Sequence, residues 1–215
     1  MSFRLARPSD APILAAISIE VWLGTYIRRG VDTFFAEFAL NEFTAPKLTA
    51  ILEDPREHVI VSENEDGLDG FIRITQGKVA PVTGCSTLEI STLYVQPRHH
   101  GRGLGRGLLE QGLLYAKSVE APSVWLTTNS ENTPAIAFYL KQGFEKVGTT
   151  HFRIHDQAYL NDVFRRMVAR YLYERSTVRY GLFASINPPT ADAFGQAEHS
   201  VRHSRPSATA VSRPC

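Results

Sequence analysis

The segment Arg98-His-His-Gly101-Arg-Gly103-Leu-Gly105-Arg106-Gly107 separates a strong strand pattern, residues 88–95, from a run of leucines at helical spacing that begins at Leu104. Backbone N–H groups in the first turn of a helix lack partners within the helix and carry the positive end of its dipole, so they bind anions. Glycines let an anion approach the chain closely, and the three arginines add positive charge. The segment predicts a phosphate-binding loop, or else a turn that needs glycines only for its backbone geometry.

Three better-known patterns do not fit these glycines. A P-loop requires GxxxxGK[ST], and no Lys-Ser or Lys-Thr follows them. The dinucleotide fingerprint GxGxxG fails because Arg106 stands where the third glycine belongs, and because the loop does not open the chain's first βαβ unit. Arginine-glycine tracts that bind RNA are long and disordered, whereas this segment is short and lies between regular elements. The remaining interpretation is that the segment binds a pyrophosphate group within a different fold.

The rest of the sequence predicts an α/β fold with a mixed, mostly antiparallel sheet flanked by helices. A strand at Phe3 and Leu5 precedes a helix that Ser9 or Asp10 can cap, and residues 32–52 predict two short helices. Further strands are predicted at residues 58–62, 70–74, 88–95, 124–128, 144–147, 151–154 and 159–167. The first two of these form an antiparallel hairpin, and two later β-α-β crossovers predict parallel pairs.

Length and charge limit the organisation and the partners of the chain. Its 215 residues exceed one average domain and fall short of two. We expect one domain over residues 1–169 and a C-terminal extension over 170–215 that is rich in Pro, Ser, Ala and Arg and disordered from about residue 185. A net charge of +1 gives no overall electrostatic reason to coat nucleic acid or a membrane.

Other sequence features point to a cytoplasmic protein. No signal peptide is visible at the start, and no run approaches the roughly 20 apolar residues that a membrane-spanning helix needs. The two cysteines, Cys85 and Cys215, cannot form a disulfide framework and have no CxxC spacing. We therefore expect no metal, no membrane and no nucleic-acid partner.

Two motifs in this order resemble the GCN5-related N-acetyltransferase (GNAT) family. Arg98-x-x-Gly101-x-Gly103 follows the strand, and Asn132-x-x-Ala135-Ile136-x-Phe138-Tyr139-x-x-x-Gly143-Phe144 comes roughly thirty residues later. The resemblance covers roughly residues 2–169 and implies a single GNAT-like domain with acetyl-coenzyme A as co-substrate. The residues that it implies for cofactor binding are Leu93, Tyr94, Val95, Arg98, His99, His100, Gly101, Arg102, Gly103, Leu104, Gly105, Arg106 and Asn132.

The chemistry that the resemblance implies needs a base and an acid. An aliphatic amine has a pKa near 10 and must lose a proton before it attacks a thioester. Glu89 is the candidate base, and strand alternation puts it on one face with Ser91, Leu93 and Val95 unless a bulge intervenes. Tyr139 aligns with the tyrosine that the family uses to protonate the departing thiolate. The alternatives are a solvent-facing carboxylate for Glu89 and a core aromatic residue for Tyr139.

The acceptor site is expected beside the first helices, where aromatic and acidic residues alternate. Trp22, Tyr26 and Glu20 are the candidate substrate-binding residues. Around Trp22-Leu-Gly-Thr-Tyr26 and residues 88–94 the chain is similar to the bacterial polyamine (spermidine/spermine) acetyltransferase branch. The expected acceptor is a small polyamine-like amine, with protein or peptide amines as the second choice.

Two other classes of function stay open from the sequence. A nucleic-acid-binding module would use the arginine-glycine loop on phosphates and would not bind acetyl-coenzyme A. A non-catalytic acetyl-coenzyme A sensor would keep the loop but lose the acid and the base, whereas Tyr139 and Glu89 are both present. A homodimer is compatible with the sequence.

Overall fold

The computed structural model describes residues 2–27 and 30–168, apart from the side chain of Tyr26. The strands in these ranges are β1 (Ser2–Leu5), β2 (Glu57–Glu63), β3 (Leu68–Gln76), β4 (Leu88–Val95), β5 (Ser123–Asn129), β6 (Glu145–Ile154) and β7 (Gln157–Met167). The helices are α1 (Ala11–Tyr26), α2 (Thr33–Glu42), α3 (Ala45–Glu53), α4 (Leu104–Ser118) and α5 (Thr133–Lys141). The predicted C-terminal extension and its predicted disorder lie outside the described residues.

The strands form one mixed sheet in the order β1-β2-β3-β4-β5-β7-β6. Its neighbours are antiparallel except for β4 and β5, which run parallel. The predicted α/β class and mixed, mostly antiparallel sheet are therefore confirmed. The prediction of a second parallel pair is wrong, because β7 lies between β5 and β6 and pairs antiparallel with both.

The end of the sheet contains two strands where the sequence predicted three. Residues 144–147 and 151–154 were expected to be separate, but most of both belong to β6. Gly148 is the reason, because it pairs with Val163 after an irregularity between Lys146 and Gly148, and the ladder continues. A Cβ on Gly148 would lie 2.6 Å from Val82 Cγ1, so the loop between β3 and β4 packs over this point.

Two apolar cores hold helices on opposite faces of the sheet. On one face, Leu104, Leu108 and Leu109 of α4 are at most 1% exposed and pack on Ile72 and Ile74 of β3. On the other face, the main members of the core come from α1, α3, β2 and β3: Leu14, Ile17, Leu48, Val59, Val61 and Phe71. The sheet is thus covered on both faces, as in a layered α/β architecture.

Arg4 connects the first strand to the start of α1. Its guanidinium lies 2.7 Å from Asp10 Oδ2 and 3.1 Å from Glu63 Oε2. Asp10 was one candidate to cap α1, but its carboxylate accepts hydrogen bonds from Arg4 and from the backbone N–H of Arg7 instead. These hydrogen bonds hold the pKa of Asp10 below its usual range, with Arg4 as the main cause.

Candidate active site

Strands β4 and β5 separate from each other towards their carboxyl ends. Glu89 and Trp125 are the one pair of Cα partners between them in the described ranges. Beyond Glu89, β4 continues to pair with β3, and beyond Trp125, β5 continues to pair with β7. Because the strands are parallel, both carboxyl ends lie at the open end of this gap. We term this gap between β4 and β5 the wedge.

A β-bulge changes which side chains face each side of β4. Arg73 pairs with Thr92 and Ile74 pairs with Ile90, so Ser91 has no opposite partner on β3. Leu93 packs against the core beneath α4, whereas Tyr94 packs against Phe71 on the other face. The bulge is the exception that the prediction allowed: the extra residue reverses the alternation, so Glu89 does not share a face with Leu93 and Val95.

The glycine-rich loop ends in the exposed N-terminus of α4. Gly101 and Gly103 have φ angles of +76° and +82°, and a Cβ on either would meet no atom of the described chain within 4 Å. The first helical bond runs from Gly107 N to Gly103 O. No backbone N–H of residues 101–106 donates to an acceptor in the described parts of the chain. This row of free donors at the start of a 15-residue helix has the chemistry of an anion site.

The charged side chains around this loop differ in their partners. Arg106 lies 2.8 Å from Glu110 one turn along α4, and Arg98 lies 3.5 Å from Glu20. Arg102 is exposed and forms no ion pair with the residues that the structure describes. Arg98 and Arg106 therefore each have a neighbouring carboxylate, at the longer distance for Arg98, whereas Arg102 has none among the described residues.

Three further predicted residues lie at the ends of these elements. His100 lies 2.9 Å from the carbonyl oxygen of Val95 through a ring nitrogen, and His99 lies in the short 3₁₀ turn Pro97–His99. Asn132 Oδ1 accepts a hydrogen bond of 3.3 Å from Ala135 N and caps α5. Its capping role is therefore confirmed, and α5 begins just beyond the carboxyl end of β5.

Tyr139 lies on α5 inside the core beneath the wedge. The residue is 8% exposed, and its ring centroid lies 5.6 Å from that of Phe144 and 6.2 Å from that of Phe164. Burial raises the pKa of its phenol above the ordinary value. The hydroxyl has no hydrogen-bond partner in the described ranges, yet it is not among their fully enclosed polar atoms without a partner. Tyr139 thus combines a core position with a protonated, unengaged hydroxyl group.

Glu89 lies on the face of the sheet that carries α1. Its Oε2 accepts a hydrogen bond of 2.8 Å from Ser91 Oγ, and Ser91 Oγ lies 2.6 Å from Thr75 Oγ1. Thr75 donates to Glu57 Oε2 on β2 at 2.8 Å. No sequence pattern pointed to Thr75 or Glu57, because only strand register places Glu57 of β2 next to Thr75 of β3, and Thr75 next to Glu89 of β4.

Two of the predicted substrate residues, Trp22 and Glu20, have different surroundings. Trp22 is 4% exposed and packs on Phe38, with ring centroids 4.8 Å apart. Glu20 accepts a hydrogen bond of 2.7 Å from Gln96 Nε2 and so lies beside the glycine-rich loop. Tyr26 ends α1, but its side chain is not described. Trp22 is thus a buried core residue, whereas Glu20 lies at the loop.

Two buried polar atoms on the Glu89 face were not foreseen. Trp125 Nε1 and Asn161 Oδ1 belong to residues that are 4% and 5% exposed, and neither atom has a partner in the described chain. Trp125 is the β5 neighbour of Glu89, and Asn161 pairs with Asn129 at the open end of β5. Their sequence context is typical of buried strand residues, so no pattern could have identified them.

The described residues also limit other kinds of site. Within residues 2–27 and 30–168, no group of three or more His, Cys, Asp or Glu side chains is arranged to hold a metal ion. Over the same ranges, no helix has both the length and the apolar character needed to cross a bilayer.

A mixed sheet whose central parallel strands diverge beside a helix N-terminus rich in free amides defines the class of acyltransferases that use coenzyme A. A sequence profile of the acetyltransferase (GNAT) family matches residues 25–144. The chain belongs to this family, and it is an acetyl-coenzyme A-dependent N-acetyltransferase.

Sequence similarity to known proteins extends over most of the described chain. An uncharacterised N-acetyltransferase of Mycobacterium tuberculosis is 28% identical over 155 residues, which are 71% of this chain and 96% of the relative. The streptothricin acetyltransferase of Streptomyces lavendulae is 30% identical over 161 residues, covering 68% of this chain and 82% of the relative. Similarity to these proteins supports the family and does not select an acceptor.

A solved structure shares the fold. The PaiA N-acetyltransferase of Thermoplasma acidophilum, determined in complex with coenzyme A, has a TM-score of 0.62 and covers 78% of this chain and 99% of its own. Its sequence identity is 18%, so the likeness concerns the arrangement of strands and helices.

Proposed function

We propose that the protein transfers the acetyl group of acetyl-coenzyme A to a primary amine of a small, polyamine-like acceptor, by direct attack within a ternary complex. The observation that carries this proposal is the wedge between β4 and β5, which opens towards the free amides of residues 101–106. A pantetheine arm in the wedge would place the thioester beside β4, with the pyrophosphate at the N-terminus of α4.

The residues of the loop would hold the cofactor by its negative charge. Backbone N–H groups of residues 101–106 would donate to pyrophosphate oxygens, and Arg98 and Arg102 would add charge-assisted hydrogen bonds. The open space above Gly101 and Gly103 is where a phosphate oxygen would approach the backbone. His99, His100 and Leu104 would shape this loop, and Asn132 would contact the cofactor from the start of α5.

The reacting groups would be served by β4 and α5. Backbone N–H groups around Leu93 to Val95, on the β4 edge that β5 leaves unpaired, would stabilise the developing oxyanion. Glu89 would accept the proton that the ammonium must lose, directly or through water. Tyr139 would donate its phenolic proton to the coenzyme A thiolate as that group departs, because burial keeps the phenol protonated.

Negative charge near the aromatic residues that pack in one cluster with Trp22 supports a cationic acceptor. Tyr159, beside Phe35 at a centroid distance of 6.1 Å, has its pKa raised by burial first and then by the carboxylates of Asp32 and Asp156. Asp32 begins α2 and Asp156 lies in the turn between β6 and β7, so two elements supply negative charge to one place. Such a place suits the distal ammonium group of a diamine or polyamine.

Thiol release from acetyl-coenzyme A, measured over a panel of polyamines, amino acids and peptides, tests this proposal. The matched control is the same polyamine with its primary amines dimethylated, which keeps the positive charge and leaves no N–H that can be acetylated at the terminal nitrogens. We expect release with the primary amine and none with the dimethylated one. Release with peptides alone would move the acceptor to protein N-termini or side chains. Tight acetyl-coenzyme A binding without release on any acceptor would indicate a sensor.

A further inference from the structure

A row of polar side chains crosses three strands on the face that carries α1. Glu57 pairs with Thr75, and Thr75 pairs with Glu89, so these three residues are consecutive neighbours across β2, β3 and β4. The bulge at Ser91 places a second hydroxyl group between Thr75 and Glu89. The contacts are 2.8 Å from Glu57 Oε2 to Thr75 Oγ1, 2.6 Å from Thr75 Oγ1 to Ser91 Oγ, and 2.8 Å from Ser91 Oγ to Glu89 Oε2. We call this the Glu57–Glu89 chain.

The Glu57–Glu89 chain is one hydrogen atom short. Each of its three oxygen-to-oxygen contacts needs a hydrogen atom to be attractive, because facing lone pairs repel at these distances. Ser91 and Thr75 supply one hydroxyl hydrogen each, and ionised carboxylates supply none. If Thr75 donates to Glu57 and Ser91 donates to Glu89, the 2.6 Å contact between the hydroxyls has no hydrogen. A single additional proton would fill every contact.

The position of the missing hydrogen is set by Arg73. Its Nε and Nη2 atoms lie 2.8 and 2.6 Å from the two carboxylate oxygens of Glu57, whose side chain is 6% exposed. The guanidinium therefore occupies Glu57 with a bidentate ion pair and makes it a charged acceptor for Thr75. The other end of the chain, at Glu89, is the end where a proton can be added without disturbing an ion pair.

We infer that Ser91 and Thr75 are positioning residues that make Glu89 an effective proton acceptor. The inference rests on the proposed role of Glu89 as the base. The N–H bond of the substrate ammonium breaks and its proton binds the Glu89 carboxylate. The new O–H of Glu89 donates to Ser91, Ser91 rotates its hydroxyl to donate to Thr75, and Thr75 continues to donate to Glu57. One proton is gained by Glu89, and neither hydroxyl gives up its own.

Other charged groups lie around this chain and enter its pH dependence. Asp54 and Arg56, in the turn between α3 and β2, act on Arg73 and Glu57 respectively through their charges. Across Trp125, the next member of the same row is Arg165, which pairs with Glu145 at 2.6 Å. A shift in a pH profile is therefore assigned to the chain only when it follows the hydroxyl groups of Ser91 and Thr75.

The experiment compares variants that remove or keep these hydroxyl groups in the full-length protein. Thr75→Val and Ser91→Ala remove one each, and Thr75→Ser keeps the hydroxyl while it removes a methyl group. Ser62→Ala is the control, because Ser62 is a fully buried strand serine whose Oγ has no partner in the described chain. The measurements are kcat against pH with saturating substrates, acetyl-coenzyme A affinity, and the infrared band of a protonated carboxyl group, which Glu89→Gln would remove if it belongs to Glu89.

We expect Thr75→Val and Ser91→Ala to lower kcat about tenfold, since they act on the base and do not remove it. The acid limb of kcat should move in both variants, and the infrared band should change frequency. Acetyl-coenzyme A affinity should stay within about twofold. Thr75→Ser should restore most of the rate, and Ser62→Ala should match the unmodified protein throughout.

The outcomes separate this inference from the proposed function. If Glu89→Gln keeps the full rate, Glu89 is not the base and this inference fails, while acetyl transfer to the amine, which is the proposed function, stands. If Glu89→Gln is slow while Thr75→Val and Ser91→Ala keep the rate and pH profile, only the role of the Glu57–Glu89 chain is overturned. If no amine is accepted, the infrared comparison decides: an unchanged band in Thr75→Val and Ser91→Ala overturns the inference, and a shifted band supports it.

Discussion

Glu89 and Trp125 form the one Cα pair that joins β4 to β5 in the described chain, and this pair is the closed end of the wedge. The candidate base therefore lies where the sheet is still continuous, and the loop amides lie where it has opened. Along β4, the stretch between them contains the bulge at Ser91 and the backbone of Leu93 to Val95. The proposed base, the oxyanion site and the phosphate site thus follow one another along β4 and the loop that continues from it.

Substitution of Gly103 by alanine should weaken acetyl-coenzyme A binding. The φ of Gly103 is +82°, and a Cβ there would meet no atom of the described residues within 4 Å, so a methyl group has room until a ligand binds. We expect the dissociation constant for acetyl-coenzyme A to rise about tenfold, which is about 1.4 kcal/mol. Isothermal titration calorimetry measures it directly.

Gly77→Ala is the matched control for this substitution. Gly77 has a φ of +74° and the same empty surroundings, but it follows β3 and lies outside the loop. Both alanines should cost roughly 1–2 kcal/mol of unfolding free energy, because a left-handed conformation strains any residue with a Cβ. Equal losses of affinity in the two variants would remove Gly103 from the proposed binding site.

Tyr139→Phe should lower turnover and leave cofactor affinity nearly unchanged. The hydroxyl makes no hydrogen bond with the described residues, so its removal leaves no buried partner unsatisfied, and the ring contacts with Phe144 and Phe164 remain. We expect kcat to fall about 100-fold if the phenol protonates the thiolate. Unchanged turnover in single-turnover thiol release would make Tyr139 a core residue alone.

The pH dependence of the Tyr139 step has a definite sign. Burial raises the pKa of this phenol above its ordinary value of about 10, so the proton donor stays protonated over the whole neutral range and beyond it. With saturating substrates, kcat should show no descending limb from Tyr139 below about pH 10. A descending limb at lower pH that disappears in Tyr139→Phe would contradict this assignment.

Local patterns were sufficient for most of the fold. The helix of Leu104, Leu108 and Leu109 follows from apolar spacing, and the start of α5 follows from the capping side chain of Asn132. The place of β7 between β5 and β6 was not predictable in this way, because it depends on long-range pairing that no short stretch encodes. The same reason explains the single strand that runs through Gly148.

The part of the site that is formed by residues close together in the sequence was predictable. The glycine-rich loop is contiguous, so its free amides could be expected from the sequence. The face of Glu89 could not, because one extra residue at Ser91 reverses the alternation and leaves no compositional sign. Thr75 and Glu57 are brought near Glu89 only by strand register. Trp22 was predicted to bind substrate because sequence alone does not distinguish an aromatic residue that lines a binding site from one that packs in a core.

Trp22→Ala should mainly affect stability. Trp22 is 4% exposed and packs on Phe35, Phe38 and Phe43, which attach α2 to the rest of the unit. Loss of the indole should lower the unfolding free energy by about 3–5 kcal/mol, and Trp22→Phe by less. Urea titration followed by circular dichroism measures the change, with Val79→Ala at an 83% exposed position as control. Unchanged stability with a raised KM for the amine would place the indole against substrate instead.

Asp10→Asn should destabilise the protein in a way that depends on pH. Asp10 Oδ2 accepts hydrogen bonds of 2.7 Å from both Arg4 and the backbone N–H of Arg7, so the neutral amide loses charge-assisted bonds. We expect a loss of about 2 kcal/mol at pH 7. Asp54→Asn, which affects a more exposed ion pair with Arg56, should cost less.

The sign of the pH effect follows from the lowered pKa of Asp10, whose main cause is Arg4. The folded state holds the ionised form more strongly than the unfolded state does, so this stabilisation is complete above the unfolded pKa, about 3.9, and disappears as pH falls through the lower folded value. The stability difference between the unmodified protein and Asp10→Asn should be constant from pH 7 to about 5 and shrink below about 4. Urea midpoints at a series of pH values measure it, and a difference that persisted undiminished in acid would show that Asp10 acts through packing and not through its charge.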